Sequence, residues 1–168
     1  MTQANVSETR PLLSATPAFH HVAIQTGDID NSTAWYEAFL GFGAAWSLSS
    51  FSELTHSRLP GIQRLAELVL GEIRVHLFER QGRPAPPPGE SLVQFQHLCF
   101  SVGAAADMAT LRQRWLDLYE SGRFVFALPD PPTDIVVDED GVQSFYALDP
   151  NGLELEFTHV PAETARDR

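Results

Sequence analysis

The sequence predicts an α+β domain built from two successive modules with the same order of elements: one strand, one helix and three strands (βαβββ). Three observations support this prediction. Short runs rich in apolar and aromatic residues are typical of strands, two longer runs carry apolar residues at helical spacing, and a proline-rich linker at residues 81–91 separates the two halves. The modules are therefore expected at residues 17–80 and 92–160, with a flexible arm at 1–16 and a tail at 161–168.

The two halves repeat the same pattern of elements. In the first half, strands are predicted at residues 19–25, from 46 onward, and at 65–70 and 73–78. The helix after the first strand ends at Gly41, since glycine readily takes the left-handed conformation that closes a helix. A polar loop around His56 is expected before the last two strands. In the second half, strands are predicted at residues 95–102, 124–128, 142–148 and 153–159, with a helix at 107–119.

The composition restricts the partners and the compartment. The chain of 168 residues has a net charge of −11, which argues against a nucleic-acid partner. No apolar run reaches the roughly 18 residues that a membrane span needs, and the first residues lack the apolar core of a signal peptide. Cys99 is the single cysteine, so an intrachain disulfide is excluded and a reducing cytoplasm is expected. Because Cys99 lies in an apolar strand, we expect its side chain to be buried.

Four side chains occupy equivalent positions in the two modules. His21 and His97 lie on the first strands, and His76 and Glu156 lie on the last strands. If a pseudo-twofold axis relates the modules, the four side chains converge on one face. Two imidazoles and a carboxylate with open positions are the ligand set of non-haem Fe(II). His20 is the alternative to His21, but strand alternation places the two on opposite faces, and the match with His97 selects His21.

A single histidine in an apolar strand is more often a core residue than a ligand, whereas four matched positions in a repeat favour a metal site. Glu156 strengthens this interpretation. It lies between two apolar strand residues after a tight turn at Pro150 and Gly152. An unpaired carboxylate that points into a protein is unfavourable, so a metal ion is a natural partner for Glu156.

The paired modules, with candidate ligands on their first and last strands, resemble the vicinal oxygen chelate superfamily over residues 19–160. This superfamily includes glyoxalase I, methylmalonyl-CoA epimerase, extradiol catechol dioxygenases, fosfomycin-modifying enzymes and metal-free drug-sequestering proteins. The resemblance implies that the two βαβββ modules form a curved mixed sheet around a metal site, the vicinal oxygen chelate fold. Fold alone does not settle function.

A second resemblance is more specific. The pattern Phe145-Tyr146-x-x-Asp149-Pro150-x-Gly152-x-x-x-Glu156 is similar to the C-terminal signature of type I extradiol dioxygenases. The resemblance implies that His21, His97 and Glu156 bind Fe(II), that His76 is the acid/base catalyst, and that Tyr146 contacts the substrate. Mn(II) has similar ligand preferences and is the alternative metal. The family signature usually has another histidine before the Phe-Tyr pair, about where this chain has Glu139.

The segments FHHVAIQTGD, LTHSRLPG and HLFER are similar to short dioxygenases that cleave L-DOPA in natural-product (antibiotic) biosynthesis. The resemblance thus implies a small catechol and O2 as substrates, with L-DOPA first. The carboxylate of an amino-acid substrate needs a cation, for which Arg58, Arg64 and Arg74 are candidates, Arg58 first because its loop lies between strands of the first module. An arginine at such a position is more often a solvated surface residue. The linker permits a site within one chain or across a homodimer.

Two alternatives remain open at this point. A glyoxalase- or epimerase-type isomerase would use Ni²⁺, Zn²⁺ or Co²⁺ with four protein ligands, and His76 would be one of them. A metal-free protein that sequesters a small molecule and confers resistance would belong to the same superfamily. Such a protein has no use for three histidines and a glutamate at matched positions, so the sequence favours an enzyme.

Overall fold

The computed structural model describes residues 19–81 and 97–162. The predicted arm, all but the first residue of the predicted linker, and residues 163–168 of the predicted tail lie outside the described residues. In chain order the elements are β1 (Val22–Thr26), α1 (Ile29–Leu40), β2 (Gly43–Leu48), α2 (Glu53–Arg58), β3 (Ile62–Leu70), β4 (Ile73–Arg80), β5 (His97–Ser101), α3 (Ala105–Glu120), β6 (Val136–Val137), β7 (Gln143–Leu148) and β8 (Glu154–His159). In these two ranges, no helix is long and apolar enough to cross a membrane.

Each module forms its own four-stranded mixed sheet. The strand orders are β1-β4-β3-β2 in the first sheet and β5-β8-β7-β6 in the second. β1 runs parallel to β4 and β5 runs parallel to β8, while the other pairs are antiparallel. The two modules therefore have the same topology, which confirms the predicted α+β fold with two βαβββ modules.

Two predicted elements are wrong. Residues 124–128 do not form a strand, because their backbone groups bond elsewhere: the Asn31 side chain bonds both the N–H and the carbonyl of Val125, and the Ala127 N–H donates to the Pro150 carbonyl. The short β6 provides the outer strand of the second sheet instead. The predicted polar loop around His56 contains helix α2, whose first turn is capped by the Ser52 hydroxyl.

The core lies between the helices and one face of each sheet. Trp35 on α1 and Trp115 on α3 are fully buried, together with Leu77 on β4 and Phe157 on β8. The two modules meet chiefly where α1 contacts α3. Since the helices cover one face of each sheet, the opposite faces are left for a site.

The turn before β8 joins the two modules. Asp149 is 1% exposed, and its carboxylate accepts hydrogen bonds from the Tyr36 hydroxyl at 3.0 Å and from the N–H groups of Asn151 and Leu153 at 2.8 Å. Burial raises the pKa of Asp149 above its ordinary value. Asp149 therefore fixes the start of β8, and with it the position of Glu156, against helix α1.

Candidate metal centre

Strand alternation places the candidate site residues on the faces that the helices do not cover. Val75 and Leu77 are buried in the core, so His76 between them points to the opposite face of the first sheet. Leu155 and Phe157 are buried in the same way, and Glu156 points to the opposite face of the second sheet. These faces are called the first and second site faces.

Three histidines meet on the first site face. One ligand atom from each of His20, His21 and His76 lies within 4.8 Å of the others, and the His21 ring stacks on the His76 ring with 3.7 Å between centroids. The expectation that His20 and His21 lie on opposite faces is wrong, because β1 begins only at Val22 and alternation does not extend back to His20. Burial and the neighbouring His76 and His20 lower the pKa of His21, which favours its neutral, metal-binding form.

A carboxylate that sequence reasoning missed holds His76. Glu67 on β3 is 2% exposed, and its Oε2 lies 2.8 Å from His76 Nε2. Its Oε1 accepts hydrogen bonds from Trp46 Nε1 at 2.9 Å and from Arg74 Nη1 at 2.8 Å. The hydrogen bond to His76 is the main cause that holds the pKa of Glu67 below its ordinary value. Glu67 has the same sequence signal as Glu156, namely a carboxylate between apolar residues of a strand.

His97 and Glu156 form a pair on the second site face. His97 Nε2 lies 3.0 Å from Glu156 Oε2, and the two side chains are 34% and 16% exposed. The Tyr146 hydroxyl donates to Glu156 Oε1 at 3.1 Å. Removal from water and this hydrogen bond raise the pKa of Tyr146, so the phenol stays protonated and can donate.

The predicted burial of Cys99 is wrong. Cys99 is exposed and lies in register with Glu156, which places it on the second site face rather than in the core. Partial removal from water and the Glu156 carboxylate raise the pKa of the thiol to about 11. The thiol is therefore protonated near neutral pH and is not poised as a thiolate nucleophile.

The structure brings the predicted ligands together in two groups rather than one. Within residues 19–81 and 97–162 of a single chain, His21 does not join His97 and Glu156 in a group whose ligand atoms all lie within 4.8 Å. His21 and His76 lie together on one sheet, and His97 and Glu156 on the other. Imidazole and carboxylate donors fit a divalent transition metal such as Fe(II) or Mn(II).

The three candidate arginines lie in different places. Arg74 is on the first site face, bonded to Glu67. Arg64 faces the N-terminus of α1, where its guanidinium binds Glu79 at 2.6 Å and Asp30 at 2.9 Å. Arg58 is the last residue of α2. Arg74 therefore lies beside His76 and Glu67, and a substrate-binding role for any of the three arginines stays a prediction.

The comparisons with known proteins agree with the observed fold. Residues 18–157 match the family model of the Glyoxalase/Bleomycin resistance protein/Dioxygenase superfamily. No curated protein matches the sequence. Among solved structures, the fold is similar to a glyoxylase/bleomycin resistance protein/dioxygenase domain from Frankia sp. EAN1pec, with a TM-score of 0.64 and 20% identity over 88% of this chain and 95% of that chain.

Two further structures show the same fold. A glyoxalase family protein from Enterococcus faecalis has a TM-score of 0.57 and 24% identity, covering 84% of this chain and 96% of that one. The fosfomycin resistance protein FosX from Listeria monocytogenes, in a complex with Mn(II) and sulfate, has a TM-score of 0.56 and 14% identity, covering 90% of this chain and 99% of that one. The match over residues 18–157 and the shared vicinal oxygen chelate fold show that the chain belongs to the Glyoxalase/Bleomycin resistance protein/Dioxygenase superfamily.

Proposed function

We propose that this protein is an Fe(II)-dependent extradiol dioxygenase that cleaves a small catechol with O2, with L-DOPA as the first candidate. The observation that carries the proposal is the Tyr146 hydroxyl, which lies 3.1 Å from Glu156 Oε1 beside the His97–Glu156 pair. A protonated phenol next to two ligands suits a hydrogen bond to a substrate oxygen. The similarity of residues 145–156 to the dioxygenase signature supports the same role.

The proposed ligands of the metal are His21, His97 and Glu156. Because His21 and the His97–Glu156 pair lie in separate groups within the described part of one chain, we propose that the site forms in a homodimer. The first site face of one chain would meet the second site face of its partner, and each dimer would contain two equivalent sites. Mn(II), which is bound in the FosX structure, is the alternative metal.

The residues around the proposed ligands would have different roles: His76 would transfer protons, and Tyr146 would bind the substrate. Bound Fe(II) would supply Lewis acidity toward the catechol hydroxyls and redox chemistry with O2. His76 would accept a catechol proton and later return it, as a general acid/base. The Tyr146 hydroxyl, which donates to Glu156 in this structure, would turn to donate its hydrogen bond to the substrate oxygen. Both atoms of O2 enter the product as the ring C–C bond breaks, so the reaction needs no external reductant.

Arg74 would recognise the carboxylate of an amino-acid catechol. Its guanidinium lies on the first site face, is exposed, and donates one hydrogen bond to Glu67. An arginine has five N–H donors, so others stay available for a substrate carboxylate. The Trp46 ring packs edge-on against His76 with 5.3 Å between centroids and is 41% exposed, which suits a wall for a flat aromatic substrate.

Oxygen uptake tests the proposed reaction. The protein is reconstituted with Fe(II) without air and assayed with an oxygen electrode against a panel of catechols that includes L-DOPA. We expect O2 uptake in equal amount to catechol consumed, with formation of a semialdehyde. Iron-loaded protein that consumes no O2 with any catechol would contradict the proposal.

One observation favours a second candidate, a glyoxalase- or epimerase-type isomerase. His76 lies in the cluster with His20 and His21, all within reach of one metal ion, and in such an isomerase a side chain at this strand position is a fourth ligand. Isomerisation of a hemithioacetal or an epimerisable thioester by protein loaded with Ni²⁺, Zn²⁺ or Co²⁺, without O2 uptake, would select this candidate.

A further inference from the structure

We infer that Glu67 is a positioning residue that fixes the tautomer of His76, with the proton on Nε2 and the lone pair on Nδ1. Nδ1 would then be the nitrogen of His76 that works in the site. The role of His76 Nδ1 in the reaction rests on the proposed function, whereas the assignment of the His76 tautomer does not.

The hydrogen bonds of Glu67 determine which group carries the proton. Trp46 Nε1 and Arg74 Nη1 can only donate, and both lie within 2.9 Å of Glu67 Oε1. Oε1 is therefore an acceptor, and the adjacent guanidinium favours the ionised carboxylate. An ionised carboxylate has no proton to give, so the contact at 2.8 Å between Glu67 Oε2 and His76 Nε2 requires an N–H on the imidazole.

Burial makes this arrangement rigid. Glu67 is 2% exposed and His76 is 7% exposed, so water cannot readily replace either partner. If the His76 proton moved to Nδ1, the Nε2 lone pair would face a buried carboxylate oxygen, and both groups would lose their hydrogen bond. The two residues are also directly opposite each other in the β3–β4 register, which fixes the distance between their backbones.

The tautomer matters because only a nitrogen with a lone pair can accept a proton or bind a metal ion. With Nε2 occupied by Glu67, His76 presents Nδ1 alone, whether it acts as a base or as a ligand. For a histidine that binds a metal ion, loss of the carboxylate partner typically reduces activity about 10- to 100-fold. We therefore expect Glu67→Gln to lower kcat by about this factor in iron-loaded protein, with KM little changed.

Nitrogen-15 NMR of the histidine side chains tests the inference in metal-free protein. In the neutral form of His76, we expect a protonated Nε2 and an unprotonated Nδ1. The signals are assigned by their loss in His76→Gln. In Glu67→Gln the amide can donate as well as accept, so we expect His76 to become a mixture of tautomers.

Glu72→Gln is the matched control. It makes the same chemical change in the same hairpin, at an exposed position of the β3–β4 turn, and should leave the His76 signals and kcat unchanged. A wild-type His76 that carries its proton on Nδ1 would overturn the inference without any variant, even if Glu67→Gln fails to fold. An unchanged tautomer in folded Glu67→Gln would also overturn it. If no protein consumes O2, the proposed function fails, but the NMR result still decides this inference.

Discussion

The two modules share a topology but hold their site residues differently. In the first sheet, His76 is buried and bonded to Glu67, which is itself held by Trp46 and Arg74. In the second sheet, His97 is 34% exposed and meets Glu156, which accepts a hydrogen bond from the half-buried Tyr146. The first sheet therefore holds an imidazole in a fixed hydrogen bond, and the second leaves two candidate ligand groups accessible.

The residue on the neighbouring strand explains the difference. Glu67 on β3 lies in register with His76, and Tyr146 on β7 lies in register with Glu156. A carboxylate opposite an imidazole fixes where the imidazole proton lies. A phenol opposite a carboxylate binds only one of its two oxygens, so Oε2 of Glu156 can reach His97 or a metal ion. The two modules therefore carry a pair of polar residues at the same strand positions, but the residue types in each pair differ.

The largest effect is expected from removing the proposed ligands on the second site face. His97→Ala or Glu156→Ala should abolish stoichiometric Fe(II) binding, and with it all O2 uptake, while the fold survives because neither side chain is part of the core. Iron content after anaerobic reconstitution measures this. His56→Ala makes the same change on the exposed face of α2 and should keep its iron. Full iron content in both ligand variants would refute the second sheet as a ligand source.

Removal of His76 should show whether this side chain is an acid/base catalyst or a metal ligand. If His76 is the acid/base group, His76→Ala keeps its iron and loses about 10²- to 10⁴-fold in turnover. Iron analysis and oxygen uptake on the same sample distinguish this from ligand loss. Loss of iron together with activity would make His76 a ligand and would favour the isomerase.

A smaller effect is expected for the phenol of the second sheet. Tyr146→Phe removes the single O–H that bonds Glu156 in this structure and that would turn to the proposed substrate oxygen, and it should reduce kcat about 10- to 100-fold. Iron should stay bound, since Glu156 and His97 remain. Equal kcat in Tyr146→Phe and wild type would exclude a role for this hydroxyl in the reaction.

The smallest effect concerns the opposite, helix-covered face of the first sheet. Arg64 holds the pKa of Glu79 below its ordinary value of 4.5. As pH falls, the Glu79 carboxyl of the unfolded chain is protonated before that of the folded chain. The Arg64–Glu79 pair therefore stabilises the fold fully above about pH 4.5, and progressively less as pH falls through the folded pKa of Glu79. Since Arg64 is 40% exposed, the contribution is below about 1 kcal/mol.

Urea unfolding of Glu79→Gln between about pH 6 and pH 3 measures this contribution. The variant should lose less of its free energy of unfolding than the wild type over this range, because it lacks the titrating carboxylate. Glu72→Gln is again the control, and it should follow the wild-type curve. Equal pH dependence in all three proteins would show that the Arg64–Glu79 pair does not stabilise the fold.

The sequence predicted the architecture well because its main signals are local. Alternation of apolar residues located most strands, and the repeat of the two modules singled out His76 and Glu156 as matched positions. Alternation failed for residues 124–128, where the Asn31 side chain and the Pro150 carbonyl bond the backbone that a strand would have paired. Asn31 is remote in sequence, so no local pattern contains this information.

The candidate site was less predictable because it depends on strand register. Glu67 has the same sequence signal as Glu156, but its partner His76 is known only once β3 and β4 are aligned. Cys99 looked like a core residue until its register with Glu156 placed it on the second site face. His20 was excluded by alternation that does not extend beyond the start of β1 at Val22.

Complementation tests most directly whether the two site faces meet around one metal ion across a homodimer. His21→Ala chains lack the proposed ligand of the first sheet, and Glu156→Ala chains lack a proposed ligand of the second sheet. In a mixed dimer, one site would combine the intact faces of both chains. After subunit exchange, we predict that about a quarter of the sites regain iron and O2 uptake, although neither variant alone does. Mixed dimers of the expected mass that bind no iron would contradict the account.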